Sequence, residues 1–168
     1  MPDEVGSHSD EVPRDDGSVA GPDRLIRLFA HESYSPKLEP DEKPEDVDVA
    51  DLTGRLSSFG FQAIPDSRSG ILGMSVYLER LLPPDGVAQL RDWWDAERAA
   101  TPHSAVVLTA EDVRRAAPEE GVVIAMDVLD DEPFGNAHAN IMIPVPGGKR
   151  FGGGFRRRLR DSAAVLVP

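Results

Sequence analysis

The chain contains no cysteine. Disulfide staples, a thiol nucleophile and cysteine-ligated zinc or iron–sulfur centres are therefore excluded. Aromatic residues make up only 6% of 168 residues, so aliphatic side chains must supply most of the core. No stretch approaches the ~20 apolar residues that a bilayer-spanning helix needs. The opening residues, MPDEVGSHSDEV, are acidic and lack an apolar stretch, which fits neither a secretory signal nor a mitochondrial transit peptide. Bases are also few: 18 Lys and Arg stand against 30 Asp and Glu, a net charge of −12. The expectation is a soluble, cytoplasmic protein without membrane association. Its length suits one domain with a tail.

The negative charge is uneven. Residues 1–50 hold 14 acids and 5 bases, and residues 51–168 hold 16 acids and 13 bases. Residues 1–22 have almost no large apolar side chains and cannot offset their ordering entropy by burial. They are expected to form a disordered acidic tail, leaving 23–168 as a single domain with an acidic, proline-bearing loop at 36–48. The other end is basic: KRFGGGFRRRLR, residues 149–160, carries six bases and no acid. Attraction between the two ends is screened beyond roughly 8 Å in physiological salt, so a clamp between them is weak.

Apolar runs predict strands over Arg24–His31, Phe59–Ile64, the centre of Ile71–Leu82, Ser104–Leu108 and Gly121–Leu129, with Ala137–Val145 as an antiparallel partner of the last. Pro144 and Pro146 suggest that this partner ends at a sheet edge. Val87, Leu90, Trp93 and Trp94 fall on one helical face between Asp85 and Thr101-Pro102, predicting a helix over Gly86–Ala99. Thr109 and Asp112 form a capping box that opens a short helix. A last helix is expected over Phe155–Ala164. Strands and long helices do not alternate, so the predicted class is α+β: a mostly antiparallel sheet with two or three short helices.

One segment carries candidate chemistry: Gly135-Asn136-Ala137-His138-Ala139-Asn140-Ile141. In a strand, side chains alternate faces. Asn136, His138 and Asn140 would share one face, and Ala137, Ala139, Ile141 and Ile143 would share the other. The first face is a row of hydrogen-bonding groups around one imidazole, which can act as acid or base near neutrality. Asp127, on the preceding strand, is a possible partner for the ring. A solvated strand face is the plainer reading of this polar row. His8, His31, His103 and His138 show no metal-binding spacing, so no metal site is expected.

The segment from Ser104 to Val167 resembles the C-terminal half of a group of small uncharacterised bacterial proteins. That group pairs a V-x-x-D-P strand with an Asn-Pro-Ala-His-Ala-x-Ile/Val segment, then a glycine and lysine, then a basic helix ending in alanine. The matching residues are Val128 with the Asp130–Pro133 loop, Ala137-His138-Ala139 with Ile141, Gly148-Lys149, and Arg157 to Ala164. Gly135-Asn136 stands where the group has Asn-Pro. The resemblance implies relatedness and brings no activity with it.

The glycines from Gly147 to Gly154 could cradle an anion ahead of a helix, with Lys149, Arg150 and Arg156 supplying charge. The spacing fits neither a P-loop nor a dinucleotide fingerprint, and a loop is the plainer reading. Arg157, Arg158 and Arg160 could contact phosphates, but the overall negative charge disfavours nucleic acid. Trp93 and Trp94 are neighbours on a helix, about 100° apart, so one is expected to pack inside and the other to lie at the boundary or in a partner interface. Ser57, Ser58 and Ser75 sit in no nucleophile-elbow pattern.

Two function classes follow. The first is a non-catalytic binding or accessory protein. It would contact a protein partner through Trp93 or Trp94 and the basic helix with Arg157, Arg158 and Arg160. The alternative is a small hydrolase or transferase. His138 would act as base beside Asp127, with Asn136, Asn140, Lys149, Arg150 and Arg156 holding an anionic substrate. Neither class calls for a cofactor.

Overall fold

The computed structural model describes residues 10–97 and 102–168. Among the described residues, seven strands form one antiparallel sheet. They are β1 (Arg24–Ala30), β2 (Ile64–Pro65), β3 (Leu72–Leu78), β4 (His103–Thr109), β5 (Val123–Met126), β6 (His138–Met142) and β7 (Ala164–Val167). The order is β5-β6-β3-β1-β4-β7, with β2 pairing the first residues of β3. Among the described residues, four α-helices accompany the sheet: α1 (Val49–Gly54), α2 (Gly86–Glu97), α3 (Ala110–Arg115) and α4 (Gly153–Ser162). The class is α+β, with one helix more than expected.

Period-two alternation divides the sheet into two apolar faces. Leu25, Phe29, Met74, Val76 and Ile141 point to the first face, where Leu52 of α1, Val113 of α3 and Phe155 and Leu159 of α4 close the larger core. Ile26, Leu28, Tyr77 and Ala105 point to the second face, where Leu90 of α2 packs on them. Helix α2 packs chiefly over β4, β1 and β7, with β5 and β6 at the other end of the sheet. That half of the second face is left for other elements to wall in.

Local chemistry explains most boundaries. Thr109 Oγ1 accepts from Asp112 N–H at 3.1 Å, as the capping box predicts. Asp48 caps α1 in the same way, accepting from Ala50 N–H at 2.9 Å. The expected strand over Phe59–Ile64 is instead a 3-10 turn at Ser58–Gly60 followed by the two-residue β2. Gly60 lies so close to the Phe29 ring that a Cβ would stand 2.0 Å from Phe29 Cε2, and the turn lets the backbone pass. β6 is interior, between β5 and β3, and Pro144 and Pro146 follow it rather than marking an edge. The last helix ends at Ser162, and residues 164–167 form edge strand β7 on β4.

Of the expected tail, residues 1–9 lie outside the described residues. Residues 10–22 lie against the body. Val19 is 2% exposed within the first-face core, and Arg114 donates to the Val19 carbonyl at 2.7 Å. Pro13 is also buried, Gly147 N–H donates to the Glu11 carbonyl at 2.8 Å and Arg80 donates to the Ser18 carbonyl at 3.0 Å, so several contacts hold this acidic stretch against the body. Among the described residues, no helix is long and apolar enough to cross a membrane.

Beside the first-face core, Tyr34 donates to Ser104 Oγ at 2.9 Å, and Ser104 Oγ lies 3.0 Å from His31 Nε2. Partial burial lowers the His31 pKa below its ordinary 6.5, with His103 and Arg91 adding to the effect and Asp95 and Glu45 opposing it. The unfolded chain therefore binds a proton at this residue before the folded chain does. The stability contributed by neutral His31 is present above pH 6.5 and is lost as pH falls through the lowered folded value. Urea unfolding at pH 7.5 and 5.5 should show a larger loss of stability in the wild type than in His31→Gln. Equal losses would show that this group is not the sensor.

Candidate functional site

On the half of the second face that α2 leaves uncovered, Gly73 and Ser75 of β3 and His138 and Asn140 of β6 form the floor of a cavity of about 380 Å³. Register places them together. Tyr77 pairs with His138 and Ser75 with Asn140 across β3 and β6, so all four side chains point the same way. Residues 64–68 and 71 form one wall, and Asp127, Leu129, Asp131 and Glu132 form the other.

The first wall is a preorganised turn. Asp66 N–H donates to the Ile71 carbonyl at 2.9 Å, and Gly70 N–H to the Asp66 carbonyl at 2.7 Å. The Asp66 carboxylate accepts from Arg68 N–H at 3.0 Å and Ser69 Oγ at 3.1 Å. Partial burial pushes the Asp66 carboxyl pKa up. The Arg68 N–H, the Ser69 hydroxyl and the Arg68 guanidinium outweigh that and hold it below the ordinary value. Arg68 then reaches across the cavity to Asp127, with Nη2 at 2.7 and 2.6 Å from the two carboxylate oxygens. This hydrogen bond raises the Arg68 pKa above its ordinary value. A second cavity of about 350 Å³ lies alongside and shares Asp66, Arg68, Asp127 and Asn140, so the Arg68–Asp127 pair forms a bar between the two.

Asp127 organises the opposite side. It follows β5 directly, and its N–H donates to the His138 carbonyl at 2.9 Å, which extends the β5–β6 ladder by one residue. His138 Nδ1 lies 2.8 Å from the Asp127 carbonyl oxygen and 3.3 Å from Asp127 Oδ2. A carbonyl oxygen can only accept, so Nδ1 carries the hydrogen. In the neutral ring, Nε2 is then a lone pair. Asn140 Nδ2 donates to Asp127 Oδ2 at 3.0 Å, so the carboxylate gathers Arg68, Asn140 and His138. The His138 side chain is only 5% exposed. Tyr77 stands edge-on to its ring at 5.2 Å and donates its hydroxyl to Glu132 Oε1 at 3.1 Å. Trp94 stands edge-on to Tyr77 at 6.1 Å, so α2 flanks the site on the same face.

No protein-family model matches the chain, and no curated protein or solved structure shows significant similarity to it.

His138, Asp127 and Asn140 meet as the sequence suggests. Asn136 does not join them. It sits exposed in a 3-10 turn at Gly135–Ala137, because β6 begins only at His138. The basic candidates lie elsewhere. Lys149 pairs with Glu120, Arg150 reaches the Ala63 carbonyl, and Arg156 donates to the Phe151 carbonyl. None of the three lines the cavity. The glycine run forms no cradle either. Gly147 and Gly148 adopt φ of 74° and 69°, and the Gly147 carbonyl accepts from Leu72 N–H at 3.0 Å. A Cβ on Gly148 would come within 2.5 Å of the Leu72 carbonyl, which accounts for glycine there.

Both tryptophans are half-buried against the second-face core. Arg158 donates to the Ala116 carbonyl at 2.8 Å, closing the end of α3, and Arg160 pairs with Asp161. Arg157 is exposed. The sequence reading did not single out Arg68, Asp66, Tyr77 or Glu132. The available signals were the Asp66-Ser-Arg-Ser-Gly70 turn and the small or polar Gly73, Ser75 and Tyr77 at every second position of an apolar run.

Proposed function

We propose that the chain is a small hydrolase or group-transfer enzyme in which His138 is the general base. The supporting observation is the ring itself: enclosed, fixed at Nδ1 by Asp127, with Nε2 open to chemistry in a cavity. In this reading Nε2 takes the proton from a water or hydroxyl nucleophile, and the Asp127 carboxylate stabilises the imidazolium that forms. Asn140 fixes the carboxylate from one side and Arg68 from the other. Ser75 offers a hydroxyl on the same floor. The cytoplasmic location is proposed alongside, on the cysteine-free composition.

The test has two parts. Nitrogen-detected NMR of the histidine rings should show His138 as the Nδ1–H tautomer in the neutral state. An Nε2–H tautomer would remove the base. A panel of chromogenic esters, amides and phosphoesters should then reveal a turnover that His138→Gln removes. Turnover unchanged in that variant would reject the reading.

A second reading, contact with an acidic protein surface, is supported by one observation. Phe59 is 73% exposed and lies under the Arg156 guanidinium, 5.6 Å from ring centroid to Cζ, beside α4 with its exposed Arg157. Chromatography with light scattering, with and without Phe59→Ser, tests whether that face carries an association.

A further inference from the structure

We infer that the cavity over β3 and β6 takes an organic cation: an ammonium or guanidinium group on an aliphatic stem. The inference rests on the site reading above and names the ligand class for it. A count of donors and acceptors supports it. The hydrogen on His138 Nδ1 is committed to the Asp127 carbonyl, so Nε2 of the neutral ring can only accept. It has no hydrogen-bond partner among the described residues, and its side chain is nine-tenths enclosed. An acceptor that opens into the cavity is satisfied from it, by water or by a donor on the ligand, while the cationic group itself is left to the carboxylates.

The surrounding charge points the same way. Asp66, Asp127, Asp131 and Glu132 line the cavity against the single guanidinium of Arg68. That guanidinium is already held by Asp127 and Asp66. Glu132 takes one hydrogen, from Tyr77, on Oε1. Asp131 is exposed at the rim. An anion would meet carboxylates with no free cation facing it. A metal ion does not fit, because among the described residues no group of three or more His, Asp or Glu side chains comes together to hold one. Ile64, 60% exposed, and Ile71 line the same cavity and offer apolar surface to a stem.

NMR titration of the full chain decides the matter without requiring turnover. The cationic probes are butylammonium, N-acetyl-lysine methylamide and N-acetyl-arginine methylamide. The controls are N-acetyl-norleucine methylamide and N-acetyl-glutamate methylamide. At least one cationic probe should give saturable shifts at Ser75, His138 and Asn140, with the norleucine control at least about tenfold weaker. Butylammonium compared with the two amino-acid probes separates a free amine from a side chain presented on a backbone. The double variant Asp131→Asn, Glu132→Gln should weaken the cationic probes about tenfold, with spectral dispersion reporting that the fold is kept. Equal binding of either control, or no saturable shift from any cationic probe, overturns the inference. Because binding is read directly, an Nδ1–H tautomer with no cation binding rejects this inference alone. Cation binding with turnover indifferent to His138 rejects the enzyme reading alone.

Discussion

His138→Gln is expected to lower turnover by about 10²–10⁴-fold, the usual worth of a positioned general base. Glutamine can still donate a hydrogen towards the Asp127 carbonyl, but it offers no nitrogen lone pair. The loss should therefore fall on kcat more than on KM, because the base acts on the proton in flight. Asp127→Asn should behave differently. The main-chain carbonyl of residue 127 also holds Nδ1, at 2.8 Å, and the substitution leaves it in place. The tautomer should survive, and what disappears is the charge that steadies the imidazolium. A smaller loss, about tenfold to a hundredfold, is expected. Asp127 is a positioning residue by this argument. Its stability cost should also be modest, because its strongest partner is half-exposed and pairs of that kind are worth about 0–1 kcal/mol. If Asp127→Asn shifts His138 to the Nε2–H tautomer, the carbonyl is not the anchor.

The parts of this fold legible in the sequence are those with enough residues to display a run or a period. β1, β3, β4, β5 and β6 show as apolar runs closed by breaks, and α2 repeats Val87, Leu90, Trp93 and Trp94 on one side. α1 and β7 escape because each has one inward anchor, Leu52 and Val165, and one residue makes no pattern. β2 has only two residues, both exposed. The candidate site is legible to the same degree. Asp127 directly follows β5 and His138 opens β6, so the antiparallel pairing of these two strands brings them together. The Arg68–Asp127 contact spans 59 residues and depends on the β2–β3 turn folding over the floor, which local sequence does not specify. The basic run from Lys149 to Arg160 fails for a related reason. Charge is visible in a sequence, but the direction of a long side chain is set by packing. Arg156 and Arg158 are turned back onto the backbone carbonyls of Phe151 and Ala116.

Gly135→Ala should cost the largest share of stability of any single methyl added near the site. Gly135 closes the loop between β5 and β6. Its N–H donates to the Glu132 carbonyl at 3.1 Å, and its carbonyl accepts from Leu129 N–H at 3.0 Å. A Cβ built there would stand 1.7 Å from the Leu129 carbonyl oxygen and 2.6 Å from its carbon. The obstacle is backbone, which cannot swing aside as a side-chain tip can. Either both closing hydrogen bonds lengthen or the loop lifts, and overpacking of this kind costs about 2–4 kcal/mol. For a domain of this size, thermal melting should report a fall of roughly 5–15 °C. Gly54→Ala is the matched control, since nothing lies within 4 Å of a Cβ built at that helical position. It should leave the melting temperature level or raise it by a few degrees, because alanine loses less chain entropy than glycine in a helix, about 0.5–1 kcal/mol. The loop also carries Asp131 and Glu132, so Gly135→Ala should disturb the cavity wall as well as the fold. Shifts concentrated at residues 129–138 would show that the two are one structure. A melting temperature unchanged by Gly135→Ala would mean that the loop has room the contacts do not reveal, and that the wall it forms is not held rigid.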